Sequence, residues 1–108
     1  MSSRDGMSKR ESTRIVLDPP TFSPPKEMRT KYLSDRKKEL SVMLVSAQTG
    51  EWKSVMGIVN HVRGTGAMYG FANVGAAAEN LVKAVENGYA NCLEILEEYA
   101  NVVNESYV

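Results

Sequence analysis

Apolar residues recur three, four or seven positions apart along most of the chain after residue 22. This spacing places them on one side of a helix and therefore predicts amphipathic helices. We expect four of them, over about residues 23–48, 51–69, 72–87 and 90–104. No stretch of the sequence shows the strict alternation that is typical of a strand. Four amphipathic helices with short connections predict an all-α fold, an antiparallel up-down four-helix bundle.

The beginning of the chain has a different character. Residues 1–22 are polar, mixed in charge and without periodicity, which predicts a flexible or extended N-terminal tail. The bundle is then a single domain over residues 23–108. Ser23 followed by Pro24 is typical of a helix start, with serine as the N-cap and proline at the first helical position.

The charge balance and the single cysteine narrow the class of protein. The 13 Lys and Arg residues equal the 13 Asp and Glu residues in number, so no overall field attracts nucleic acid or an anionic membrane. No apolar run approaches the roughly 20 residues that cross a bilayer, and the N-terminus lacks the apolar centre of a signal peptide. Cys92 alone permits no internal disulfide. We therefore expect a monomeric cytoplasmic protein that binds neither nucleic acid nor membranes.

The second helix has an unusual outer surface. Its predicted core side carries Val55, Ile58, Val59, Val62, Gly66 and Tyr69. The opposite side carries a line of residues three or four apart, the α2 ridge, formed by Lys53, Gly57, Asn60, Gly64 and Ala67. Two exposed glycines reduce helix stability by about 2 kcal/mol, which suggests that they leave room for a partner over position 60. The alternative is that packing elsewhere simply tolerates them. Arg63, beside the ridge, offers a positive charge to an anion.

The same stretch carries a family resemblance. Arg63-Gly64-Thr65-Gly66 and Tyr69-Gly70-Phe71, together with residues 32–40, 50–52 and 75–79, are similar to the histidine-containing phosphotransfer (HPt) domain of bacterial two-component phosphorelays. The resemblance covers about residues 27–104. It implies a four-helix bundle in which a histidine in one helix accepts a phosphoryl group from the aspartate of a response-regulator receiver.

The sequence departs from this pattern at the phosphoacceptor. The family position lies four residues before Gly64 and ten before Gly70, and it is occupied by Asn60. His61 follows one residue later, which moves its ring around the helix by about 100° and so by several ångströms. An asparagine amide has no nitrogen lone pair comparable in basicity to that of imidazole. The resemblance therefore implies a degenerate HPt domain that docks a receiver or a hybrid histidine kinase without carrying phosphate.

The resemblance also implies where the partner binds and what the site lacks. The expected contact residues are Lys53, Gly57, Asn60, His61, Arg63, Gly64 and Ala67. No cofactor is expected, because the Mg²⁺ of this chemistry belongs to the receiver. A resident metal is not expected either, because His61 has Thr65 and no second ligand at the i+4 position. Nor do we expect independent enzyme activity, since the sequence shows no nucleophile–base pair and no glycine-rich phosphate loop.

Two other interpretations stay open. In the first, His61 is a displaced phosphoacceptor and the protein is an active histidine phosphotransfer protein. In the second, the chain is a helical protein–protein interaction module unrelated to phosphorelays. Its binding surface would then be the basic side of the first helix, which carries Arg36, Lys37 and Lys38 and faces either solvent or an acidic partner.

Overall fold

Each of the predicted apolar patterns forms a helix in the computed structural model, which describes residues 24–108. The helices are α1 (Lys26–Gln48), α2 (Trp52–Thr65), α3 (Ala72–Glu86) and α4 (Cys92–Glu105). No strand occurs in this part of the chain. The predicted tail, residues 1–22, and the predicted Ser23 cap lie outside the described residues. The proline that precedes α1 at its N-cap is Pro25, so α1 begins two residues later than predicted.

The helices form a four-membered ring. α1 packs against α2 and α4, and α3 packs against the same two helices, while the diagonal pairs do not touch. This arrangement confirms the predicted four-helix bundle. The core lies along the ring axis and is built from the predicted apolar positions, including Val59 on α2, Leu81 on α3 and Leu96 on α4, all fully buried.

The same hydrogen-bond motif follows the end of each of the first three helices. After α1, the amide of Gly50 donates to the carbonyl of Ala47, and the amide of Glu51 donates to that of Ser46. This pair of bonds is a Schellman motif, which needs a left-handed residue at its centre, and Gly50 supplies it with φ of 82°. Gly70 and Gly88 close the other two connections by the same motif. The short turns hold successive helices antiparallel.

The pattern was misleading at several positions on α1 and α4. Met28 and Leu93 follow the apolar spacing but are 44% and 45% exposed. Met28 lies in the first turn of α1 and lines an open groove between α1 and α2, which leaves it partly exposed. Arg36, predicted on the solvated side, is buried at 7% exposure. It falls in register with the core residues Tyr32 and Leu40, four positions away on either side.

Candidate functional site

The outer side of α2 is the candidate docking surface. On its inner side Val55, Val59 and Val62 are completely buried, which fixes the rotation of the helix. The predicted ridge residues therefore face away from the core, and all are exposed: Lys53, Gly57, Asn60, Gly64 and Ala67. The structure thus brings together the residues that the sequence placed on one line.

The glycines of this segment fall into two kinds. A Cβ atom built on Gly57 or Gly64 would have no neighbouring atom within 4 Å. A Cβ atom on Gly66 would lie 2.7 Å from the backbone nitrogen of Gly75 and 2.8 Å from its Cα atom. Gly66 is therefore required for the close approach of α2 and α3, as its predicted position on the buried side indicated. No contact in the described structure explains Gly57 and Gly64.

The C-terminal end of the ridge differs from the prediction. The α-helix ends at Thr65, four residues before the predicted end at Tyr69, and Ala67 lies in the turn that follows. The amide of Tyr69 still donates to the carbonyl of Thr65 over 3.1 Å, and the Schellman bond from Phe71 to Gly66 closes the turn at 2.8 Å. Ala67 is therefore exposed beside the ridge but is not held by the regular helix.

The candidate docking surface carries two cations, Lys53 on the ridge and Arg63 beside it. Lys53 lies in the first turn of α2 and Arg63 in the last turn, and both are exposed. Within residues 24–108 no carboxylate forms an ion pair with either side chain. Both positive charges are therefore available to an anionic partner.

His61 is exposed but lies to one side of the ridge, over a groove between α1 and α2 of about 280 Å³. The groove is lined by Met28, Lys31, Tyr32, Asp35, Arg36, His61, Thr65 and Tyr69. The hydroxyl of Thr65 donates to the backbone carbonyl of His61 over 2.9 Å. It also lies 2.7 Å from the hydroxyl of Tyr32. His61 thus borders the α1–α2 groove, whereas Asn60 lies on the line between Gly57 and Gly64.

Aromatic rings stack along one wall of this groove. The ring of Tyr32 stacks on that of Tyr69 with centroids 4.4 Å apart and an interplanar angle of 10°. The guanidinium carbon of Arg36 lies 4.4 Å from the centroid of the Tyr32 ring. Arg36 also forms two hydrogen bonds to the carboxylate of Glu39, at 2.9 Å and 2.8 Å. A planar guanidinium that stacks and pairs in this way is well suited to a buried site.

The sequence did not predict the contacts that form the walls of the groove. The contact between Tyr32 and Thr65 joins residues 33 positions apart, and no local pattern predicts it. Arg36 carried a usable signal, because it sits in the apolar stripe of α1 and has an acidic residue three positions later. The prediction that the charged residues of α1 face solvent did not use that signal.

Three side chains have perturbed pKa values. The hydrogen bond from Lys31 holds the pKa of Asp35 below its usual value. Burial alone would lower the pKa of Arg36, but its interactions with Glu39 and Tyr32 together outweigh this effect and raise it. Burial raises the pKa of Tyr99, whose fully buried hydroxyl has no hydrogen-bond partner within residues 24–108. None of these three groups belongs to the ridge.

The comparisons with known proteins identify no family for this chain. No protein-family model, no curated protein and no solved structure matches the chain. In the described part of the chain no helix is long and apolar enough to span a membrane. No group of three potential metal ligands comes together among residues 24–108. Any functional conclusion therefore rests on the residues and on the geometry of the bundle.

Proposed function

We propose that this protein is an HPt-like signalling domain of a bacterial two-component phosphorelay. It docks a response-regulator receiver through the α2 ridge and does not itself carry phosphate. The observation that carries this proposal is the open space over Gly57 and Gly64. Both glycines lower helix stability, and neither is needed for packing within the described structure. A partner backbone or helix seated closely over Asn60 accounts for both.

The position of the two candidate acceptor residues supports the absence of phosphate transfer. Asn60 occupies the centre of the ridge, where a docked partner would present its reacting group, and its amide cannot form a phosphoramidate. His61 has the right chemistry but lies over the groove next to Thr65. Transfer reactions tolerate misplacement of about an ångström, whereas one residue around a helix moves a side chain by several.

Phosphotransfer from a charged receiver tests this assignment. Receiver domains are loaded with radiolabelled acetyl phosphate and mixed with wild-type protein, His61→Gln and Asn60→His. We expect no acid-labile label on wild type or on His61→Gln, and transfer to Asn60→His, because that substitution restores an imidazole at the centre of the ridge. Label on wild type that disappears with His61→Gln would overturn the proposal and identify His61 as a displaced acceptor.

Direct binding tests the ridge separately from the chemistry. Gly57→Gln and Gly64→Gln place a side chain in the open space, and we expect each to weaken receiver binding measured by biolayer interferometry. Asn101→Gln is the control, because Asn101 is exposed on α4, which does not pack against α2. Receiver binding that persists in both ridge variants would count against the ridge.

The same measurement separates the unrelated interaction module. If the basic side of α1 were the binding surface, reversal of Lys37 and Lys38 to glutamate would abolish partner capture and the two glycine variants would not. We expect the opposite pattern for a receiver. The two sets of substitutions lie on different helices, so each surface is tested independently.

A further inference from the structure

The bundle carries opposite charges on two neighbouring helices. α1 contains six Lys and Arg residues and three Asp and Glu residues. α4 contains four glutamates and no Lys or Arg. The balanced net charge of the chain hides this separation. Because α1 and α4 pack side by side, their outer sides form one face of the bundle, with a basic strip around Lys37 and Lys38 and an acidic strip around Glu97. Arg36 is buried and Lys31 is paired with Asp35, so neither contributes to the basic strip.

We name this side the α1/α4 face. Its exposed residues that matter here are Lys37, Lys38 and Val45 on α1 and Leu93, Glu97 and Glu105 on α4. The end of α1 lies beside the start of α4, because Ala47 and Cys92 line one cavity. Lys37 and Lys38 line the same groove as Ser106, which follows Glu105, and Leu93 lines the same cavity as Ala47.

The charges of this face are not compensated within the described structure. The ion pairs of residues 24–108 are Lys31–Asp35, Arg36–Glu39 and Lys83–Glu79, and none includes Lys37, Lys38 or a glutamate of α4. On α4, like charges three and four positions apart repel each other. Both strips therefore gain by meeting a strip of opposite sign.

The face also has an apolar end. Val45 is 60% exposed and Leu93 is 45% exposed, and both lie at the end of the bundle where α1 finishes and α4 begins. Single exposed apolar residues are common, but here they lie next to the charged strips. A complementary partner therefore needs an acidic strip, a basic strip and an apolar contact at one end.

We infer that the α1/α4 face binds the same face of a second copy of this chain. A two-fold axis parallel to the helices sets α1 of one copy against α4 of the other, twice. The same rotation preserves height, so Val45 of one copy meets Leu93 of the other. A two-fold axis across the helices would set α1 against α1 and α4 against α4, and like charges would repel. The charge pattern thus selects one symmetry.

The available area limits the strength of this dimer. The 23 residues of α1 are about 34 Å long. The 14 residues of α4 are only about 21 Å long, so the two helices lie side by side over about 21 Å and a width of about 20 Å. The dimer would therefore bury about 800 Å² in total, which is below the range of a stable specific interface. We therefore expect a reversible, salt-sensitive dimer, and not the monomer suggested by composition. The α2 ridge lies away from this face and stays open for a partner.

Charge reversal with the full-length chain tests this inference. Sedimentation velocity over a range of concentrations should show wild-type dimers that weaken about tenfold or more when salt is raised from about 0.1 M to about 1 M, because the Debye length falls from about 10 Å to about 3 Å. Lys37→Glu/Lys38→Glu alone and Glu97→Lys/Glu105→Lys alone should both be monomeric. An equimolar mixture of these two variants should form a heterodimer, because both α1–α4 contacts are then again between opposite charges.

Matched controls keep the test decisive. Lys83→Glu and Glu86→Lys, matched to the single variants Lys38→Glu and Glu97→Lys, change the net charge equally at exposed positions off the face and should dimerise like wild type. If a double variant fails to fold by circular dichroism, Lys38→Glu and Glu97→Lys replace it. Wild type that stays monomeric at millimolar concentration, or a mixture of reversed variants that stays monomeric, overturns the inference.

Discussion

Replacing Gly57 with alanine should make the protein more stable and a poorer binding partner. Gly57 lies in the interior of α2, where glycine is less favourable than alanine by about 1 kcal/mol. The added methyl group would meet no atom within 4 Å, so no steric strain offsets the gain. Part of the gain arises in the unfolded chain, which loses conformational freedom.

The size of the effect is measurable for a domain of this length. A gain of about 1 kcal/mol corresponds to a rise in Tm of roughly 4–8 °C for 60–100 residues. Gly64→Ala should act in the same direction but less strongly, because Gly64 lies next to the end of α2, where helices fray. Since the two positions are seven residues apart and share no contacts, their effects should add.

Urea and thermal unfolding, followed by far-UV circular dichroism, provide the free energies and Tm values. Receiver affinity of the same variants completes the experiment, and we expect it to fall while stability rises. A Gly57→Ala variant with unchanged or lower stability would refute the claim that this surface is open and helical. Higher stability with unchanged affinity would refute the claim that the glycines are retained for docking.

Three further changes test the packing. Gly66→Ala should destabilise the protein by about 1–3 kcal/mol in urea unfolding, because its Cβ would overlap the backbone of Gly75. Gly75→Ala would make only ordinary contacts and should be nearly neutral. Equal losses of stability in the two variants would contradict this explanation. Glu39→Gln should cost about 2 kcal/mol by leaving Arg36 buried without its carboxylate, and adding Arg36→Met should restore most of the loss. Tyr99→Phe should raise stability by about 1 kcal/mol at neutral pH, because the buried hydroxyl has no partner within residues 24–108. Because the folded-state pKa of Tyr99 is raised, wild-type stability should fall as pH rises above about 10. The difference in free energy of unfolding between Tyr99→Phe and wild type should therefore grow above that pH. A difference that does not change with pH would contradict this link between Tyr99 and stability.

Much of the fold was predictable because local patterns and the bundle agree. The three- and four-residue spacing identified all four helices, and glycines at the connections marked their ends. Boundaries were less certain. The prediction for α2 extended to Tyr69 because Tyr69 continues the apolar spacing, whereas in the structure the α-helix ends at Thr65 and a Schellman motif closes the following turn. Apolar spacing alone does not distinguish a regular helix from such a turn.

The candidate site was predictable only in part. The ridge followed from helical geometry, because the rotation of α2 is determined by its buried valines, which the sequence shows plainly. The groove beside His61 was not predictable, because its walls come from two helices and meet through Tyr32 and Thr65. The pairing of opposite strips on α1 and α4 was also hidden, because it depends on which helices are neighbours in the ring.

The sequence by itself determined the helices, their inner sides and the exposed line from Gly57 to Gly64, because these depend on residues at most a few turns apart. Tertiary structure decided which glycines are needed for packing. The sequence placed Gly64 on the outer side of α2 and Gly66 on the inner side, but only the structure shows that a Cβ atom on Gly66 would meet the backbone of Gly75. The physical reason is that steric necessity belongs to a contact between two helices, and a single helix does not contain that information.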